Sequence, residues 1–424
     1  MHTSMNAQLR QNGDIDTSFG TDGYLRPTGD LGRILTIALS KNDAITHATE
    51  LNGQMSLDRA LIDGTKDAGF SAQRWNFEEG DTSRPNRLLL QKLAGNEQDE
   101  RIVIVGESLV EYEPSFYRYR PAVMRLLPNG SPDLVFGRRI LPQPDDARPE
   151  FGVSTPTSDG CLQQDGKLLI VANYDTGSLA IHHSRLYRLT ETGELDNQFG
   201  QGGFVEIRLQ GKPSRVGSVQ AQSNGNIVVA GRHEFGIATL ARYLPSGELD
   251  GSFGDRGFID IRIQSAAEKT QPPTHLVNNP SRLLVMADDR IVFTAHRRVS
   301  EKDQGLLMRL TADGQPDSSF NGGNLVCMDR DSMHVELATV AVQADGKIVV
   351  AGRGVNRDLP SNQIYGHKWR FLENGSLDPT FNSESVRGEF ADIAIQTNGR
   401  ILLAGSSGLA WSSRFPQITA FTGQ

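Results

Sequence analysis

The sequence predicts an all-β fold: a seven-bladed β-propeller of four-stranded antiparallel blades, with the ring closed by pairing of the N- and C-terminal segments. Three observations carry this. The pattern Gly-x-x-Asp-x-x-Phe occurs seven times, at Gly13/Asp16/Phe19, Gly64/Asp67/Phe70, Gly130/Asp133/Phe136, Gly193/Asp196/Phe199, Gly247/Asp250/Phe253, Gly314/Asp317/Phe320 and Gly375/Asp378/Phe381. Its phenylalanines are spaced by 51, 66, 63, 54, 67 and 61 residues. No long run has helical periodicity, and 44 glycines suit many short strands joined by turns. A unit of this kind exposes both faces of its sheet, so the units must stack. Residues 1–424 therefore read as one domain of seven repeats of ~60 residues.

A hairpin pattern recurs beside the first. Its clearest copies are Ala341 to Arg353 and Val219 to Arg232, and Leu162 to Ala172 and Ile393 to Gly405 follow the same plan. Ile37 to Ala48, Leu88 to Gly106 and Leu284 to Ala295 are worn copies. Asp-Gly or Asn-Gly supplies the positive backbone angles of a tight turn, and the β-branched run after it reads as a buried central strand. In the clearest unit, strand a is expected near 217–222, b at 227–231, c at 238–244 and d at 258–263. Only the strand-like piece 6–10 precedes the first Phe turn, and only 411–424 follows the last hairpin. Seven complete blades thus require both ends in one blade, which removes the exposed sheet edge. The order of the two pieces, 6–10 and 417–421, stays open at this point.

In each repeated turn the Gly allows positive φ, the Asp can accept hydrogen bonds from nearby amides, and the Phe suits an apolar plug between blades. A calcium loop is the rival reading, since Asn12-Gly-Asp14-Ile-Asp16 offers several oxygens. Most other copies have one acidic residue there, too few for six to eight oxygen ligands. No metal site is expected. At these residues the chain resembles the delta-60 repeat family, whose units pair a Gln-x-Asp-Gly-Lys-Ile-x-Val-Ala-Gly hairpin with a later Asp-Gly-Ser-Leu-Asp-x-Ser-Phe-Gly turn. Gln343 to Gly352 match the first part; Gly193 to Gly200, Gly247 to Gly254 and Gly375 to Phe381 match the second. The resemblance implies a β-propeller and brings no common catalytic residues.

A net charge of −8 argues against a nucleic-acid or anionic-membrane surface as the main task, although it leaves room for a local basic patch. Cys161 and Cys327 lie in different repeats and are expected as buried free thiols. No secretory signal and no long apolar run is visible, so a cytoplasmic location without membrane insertion is expected, with leaderless export as the alternative. No phosphate loop, His-Glu-x-x-His or zinc-spaced cysteine pair occurs, and no cofactor is expected.

Topology places the a–b and c–d turns at one end of the ring and the b–c and blade-to-blade connections at the other. The first set is short and repetitive. The second holds the long irregular stretches 107–121, 173–183, 296–304, 354–367, 141–159 and 264–280. Variable loops on a rigid scaffold are where binding commonly resides. The candidate ligand- or partner-binding residues are Tyr112, Phe116, Tyr117, Arg118, Tyr119, Arg120, His182, His183, Arg297, Arg298, Tyr365 and His367. The aromatic–arginine segment 111–121 has the composition of a protein-interaction hot spot. The expected function is a non-catalytic scaffold for a protein partner. A lectin-like propeller for glycans and a propeller hydrolase are the alternatives.

Overall fold

The computed structural model describes residues 11–423 except 79–81, 94–95, 114–115, 145–157, 176–181, 234–235, 262–276, 300–301, 331–332, 357–362 and 409–412. Seven four-stranded antiparallel sheets follow one another as blades. In blades 1 to 6 the chain runs outward from inner strand a to outer strand d. Blade 4 shows the plan: Ser214–Ala221, Ile227–His233, Ala238–Tyr243 and Phe258–Asp260. The inner strands of the other blades are Arg33–Leu39, Thr82–Leu93, Asp159–Leu162, Val277–Val285, Met333–Val342 and Glu389–Ile395. Among the described residues the only helix is the single 3₁₀ turn Asn321–Gly323, and none is long and apolar enough to cross a membrane.

Strand b is apolar throughout because both of its faces are covered. Ile227 and Val229 pack towards blade 3, while Val228 and Ala230 pack towards blade 5. The buried apolar residues form seven clusters, one at each interface between neighbouring blades. Each repeated Phe belongs to one of them and is at most 5 % exposed.

The seventh blade joins the chain ends. Glu389–Ile395, Ile401–Ser407 and Phe415–Phe421 form its first three strands, and Tyr24–Leu25 pairs with the third as the outer edge. The tail therefore supplies the third strand and the N-terminal region the fourth; the piece 6–10 lies outside the described residues.

The repeated Asp has a partner that the motif alone does not name. In blades 1 to 6 an Arg eight residues earlier, on strand c, donates Nε–H to Asp Oδ2 at 2.7–2.8 Å: Arg59, Arg125, Arg188, Arg242, Arg309 and Arg370. The other Asp oxygen accepts the backbone N–H two residues on, which holds the turn. The same guanidinium lies over the repeated Phe, 4.5–4.8 Å from the ring centre. It also donates to a carbonyl beyond its own blade, at Pro128, Glu191, Pro245, Ala312, Glu373 and Gly423. One side chain thus ties a turn, a ring and the next blade together. In blade 7 Ala420 occupies the strand-c place, and Arg400 from the a–b turn reaches Asp16 at 2.7 Å, Phe19 and the carbonyl of Ile62 instead. The extra acid of the first turn, Asp14, accepts from Gln11 N and Asn382 Nδ2, so the turn's carboxylates are occupied by protein donors.

Two expectations need correction. Cys161 is buried, but Cys327 is exposed because it lies on an outer strand; both are free. The stretches 107–121 and 296–304 are not irregular loops. They are hairpins that prolong strands b and c, to Glu113 and from Phe116 in blade 2, to Val299 and from Lys302 in blade 5.

Candidate binding site

The inner strands carry a recurrent irregularity. Their register against strand b shifts by one residue at 34–36, 85–87, 216–218, 337–339 and 390–392. Such a bulge brings the two backbones close, and the facing residue of strand b is Gly231 or Gly352 in the clearest hairpin copies. A Cβ there would lie 2.4 Å from Arg215 O or 2.1 Å from Glu336 O. This explains the Ala-Gly-Arg that ends the hairpin pattern.

The residue after each shift, with its counterparts in the other blades, forms a ring around the channel: Thr36, Arg87, Asp159, Ser218, Arg282, Thr339 and Asp392. Two relays repeat within it. Asp392 Oδ2 accepts from Thr36 Oγ1 (2.9 Å), which accepts from Leu88 N (3.0 Å). Asp159 Oδ2 accepts from Ser218 Oγ (2.8 Å), which accepts from Leu283 N (3.1 Å). The guanidinium of Arg282 then bridges Asp159 of blade 3 and Asp392 of blade 7, both at 3.2 Å, and Arg87 stands 3.8 Å from the same two oxygens. An arginine of blade 5 that joins blades 3 and 7 must lie across the channel. Burial opposes ionisation of Asp392, but the charges of Arg282 and Arg87 and the bonds from Ile37 and Thr36 outweigh it and hold the carboxyl below its usual range.

This bridge separates two kinds of space. Towards the a–b turns lies a cavity of about 630 Å³ with apolar walls from Val285, Met286, Val340, Val342 and Ile395. Towards the b–c end lies a cavity of about 320 Å³ lined largely by polar and charged groups: Arg33, Arg84, Asn86, Ser158, Arg282, His296, Glu336, Arg353 and Glu389. The first turns of strand a and the last residues of strand b supply them, so this mouth opens at the end with the variable connections.

Ion pairs organise the mouth. Arg33 meets Glu50 at 3.1 Å, and Arg353 meets Glu336 at 2.6 Å. Glu389 has Arg414 at 2.9 Å, Arg353 at 3.6 Å and Arg33 at 3.9 Å. Burial pushes Arg414 down to about 10, against the pull of Glu389, with Arg33 and Arg353 adding to the fall. Behind the cavity, burial raises the Glu107 carboxyl to about 7, outweighing Arg84 and the hydrogen bonds from Asn86 and Ser158. In blade 4 Arg215 and Arg232 face each other across the strand pair. Four arginines, Arg33, Arg84, Arg282 and Arg353, thus line the mouth against three carboxylates, Asp159, Glu336 and Glu389, on a chain of net charge −8. Among the described residues no group of three or more His, Cys, Asp or Glu side chains is placed to hold a metal ion.

The residues chosen from sequence lie further out. Tyr119 and Arg120 are on strand c of blade 2, where Arg120 pairs with Glu78 and the Tyr119 carbonyl accepts from Gln143. Tyr112, Phe116, Tyr117 and Arg118 belong to the same hairpin, with Val110 opposite Arg118 and Glu111 opposite Tyr117; their side chains lie outside the described ones. His183 is half-buried opposite Tyr174, and the side chain of His182, opposite Asp175, is also outside the described ones. Arg297 bonds Gln304 at 2.7 Å, Arg298 stands exposed 3.5 Å from Asp303, and Tyr365 donates to Gln363. His367 is 0 % exposed and bonds Ser385 at 2.7 Å, so it belongs to the blade interior rather than to a surface. The sequence reading missed the charged mouth. Its signal was present in the hairpin columns: Gly106-Glu107, Gly231-Arg232 and Gly352-Arg353 place a charged residue at one structural position.

The comparisons agree with this architecture. The family described as a beta-propeller domain of unknown function, DUF5122, matches residues 97–136, 163–199, 287–320 and 343–381, less than half of the chain. No curated protein matches. A selenomethionine-substituted virginiamycin B lyase from Staphylococcus aureus superposes with a TM-score of 0.50 at 12 % identity, over 94 % of this chain and 98 % of that one. The polysaccharide lyase Uly1 does so at 0.45 and 12 %, over 99 % and 94 %. Domains 1–2 of Drosophila Semaphorin 1b do so at 0.44 and 10 %, over 97 % and 88 %. At these identities the likeness concerns the fold. The chain is a seven-bladed β-propeller, and segments of four of its blades match that propeller family.

Proposed function

We propose that the protein is a binding scaffold that takes an acidic segment of a protein partner at the variable end of its channel. One observation carries this: four arginines against three carboxylates line a partly enclosed mouth, although the chain as a whole is acidic. Enclosing guanidinium groups costs hydration, and an anionic ligand offsets that cost. A basic mouth on an acidic body also steers acidic partners and repels basic ones. A neutral glycan gains nothing from this charge, so the lectin reading is the weaker of the two. The test is retention of defined acidic, neutral and basic peptides on the immobilised protein, at low and high salt. Selective, salt-sensitive retention of the acidic set is expected. Equal retention of neutral and acidic peptides sinks the reading.

Glu107 favours a second reading. A carboxyl held near 7, buried behind the cavity lining, has the proton affinity of a general acid or base. A propeller enzyme using this mouth predicts turnover in a lyase and hydrolase screen that Glu107→Gln abolishes.

A further inference from the structure

On the a–b side of the bridge lies the second space of the channel, the cavity of about 630 Å³. Strand a of blades 5, 6 and 7, with the turns that follow it, supplies the walls. Val285, Met286, Val342 and Ile395 line it and are only half-buried, although they are apolar. The walls end at the bridge, where blade 2 contributes Arg87. Six of the seven ring residues have side-chain hydrogen bonds. Thr36, Asp159, Ser218 and Asp392 share the two relays, Arg282 bonds both aspartates, and Thr339 donates to Asp392 at 3.3 Å. The Arg87 side chain has none among the described residues. Its two carboxylate neighbours stand at 3.8 Å, and its buried Nε has no hydrogen-bond partner. A guanidinium carries five N–H donors in one plane, and donors enclosed without acceptors are costly.

We infer that this cavity binds a small amphipathic molecule, with an aliphatic body between blades 5, 6 and 7 and a neutral carbonyl oxygen that accepts from Arg87. The inference is independent of the acidic-partner reading, because the site lies on the other side of the bridge. The walls select the body: half-buried apolar side chains around a volume of small-molecule size lose water contact when hydrocarbon covers them. The bridge selects the head. The charged residues that line the cavity balance, Arg87 and Arg282 against Asp288 and Asp392. Asp392, held ionised 3.8 Å from Arg87, repels a carboxylate head, while Arg87 and Arg282 repel an ammonium head. An amide or ketone oxygen takes up the unbonded donors of Arg87 without upsetting this balance, in a bond strengthened by the guanidinium charge.

Titration calorimetry of the full chain with octanamide, octanoate and octylammonium tests this, since the three probes share a body and differ in the head. Octanamide is expected to bind most tightly, with the negative heat-capacity change of apolar burial. Arg87→Met is expected to weaken octanamide about tenfold. Arg87→Lys keeps a charge beside the two aspartates, which guards against a failure to fold, and its loss of the planar fork is expected to weaken octanamide severalfold. Ala344 is exposed on the a–b turn of blade 6 and lines the cavity, so Ala344→Trp is expected to abolish binding and leave the melting temperature unchanged. Octanamide affinity that neither Arg87 variant lowers removes the head contact and overturns the proposal. Octanoate or octylammonium binding more tightly than octanamide overturns it as well. Binding that survives Ala344→Trp lies elsewhere on the molecule and overturns the site, and so does a wild-type chain that binds none of the probes.

Discussion

Arg309 shows how much one side chain holds. It is 1 % exposed, bonds Asp317 at 2.7 Å, lies over Phe320 and donates to the Glu373 carbonyl of the next blade. Arg309→Ala leaves buried Asp317 with only the more distant Arg290, at 3.6 Å, and breaking such a buried pair costs about 3–5 kcal/mol. A fall of that size in unfolding free energy is expected, with a smaller one for Arg309→Ala combined with Asp317→Ala. Titrating groups give two opposite slopes. His47 and His367 are held near 4: burial lowers both, opposed at His47 by Asp58 and reinforced at His367 by Arg330 and Lys368. The unfolded chain takes up these protons near 6.5, so stability falls as pH drops from about 6.5 to about 4, by on the order of 3 kcal/mol for each group. Denaturant unfolding across this window is expected to show a flatter acid limb in His47→Gln. Glu107 works the other way. The native state keeps its proton up to about 7 while the unfolded state releases it near 4.5, so its contribution falls as pH rises through that range. Glu107→Gln is expected to raise the melting temperature at about pH 8 and leave it nearly unchanged at about pH 5.

Strand b was legible because both of its faces are buried, which writes a continuous apolar run such as Ile348–Ala351. The hairpins around Glu111 and Val299 were not. Their sequences are largely polar, with aromatic residues in the first, so no apolar run marks them, and only cross-strand pairing makes them strands. The closing blade depends on both chain ends. Without 415–424 the strand Ile401–Ser407 loses its outer partner, and the Asp16 turn loses the carbonyls of Ala420 and Thr422. This truncation is expected to aggregate through the exposed edge, as size-exclusion chromatography would show. Arg400→Ala loses the bonds to Asp16 and the Ile62 carbonyl but keeps the strand pairing of the blade, and is expected to remain monodisperse at a lower melting temperature.

Across the molecule, the bridge of Asp159, Arg282, Asp392 and Arg87 closes the channel between two chemically different ends. Asp159→Asn with Asp392→Asn leaves two enclosed arginines without carboxylates, and a loss of at least about 3 kcal/mol in unfolding free energy is expected. The repeats were readable from local sequence because each turn, hairpin and apolar strand is a short-range pattern dictated by backbone angles and burial. Even the lock arginine is legible, since it stands eight residues before its aspartate in six blades. The ring residues and the charged mouth are different. Thr36, Arg87, Asp159, Ser218, Arg282, Thr339 and Asp392 come from seven repeats of unequal length, and nothing within one repeat ranks any of them above its neighbours. Closing the ring brings their polar groups within about 4 Å of one another across blade boundaries. Local pattern thus carries the blades, while the channel, its bridge and its arginine-rich mouth arise from contacts that exist only once seven blades stand in a circle.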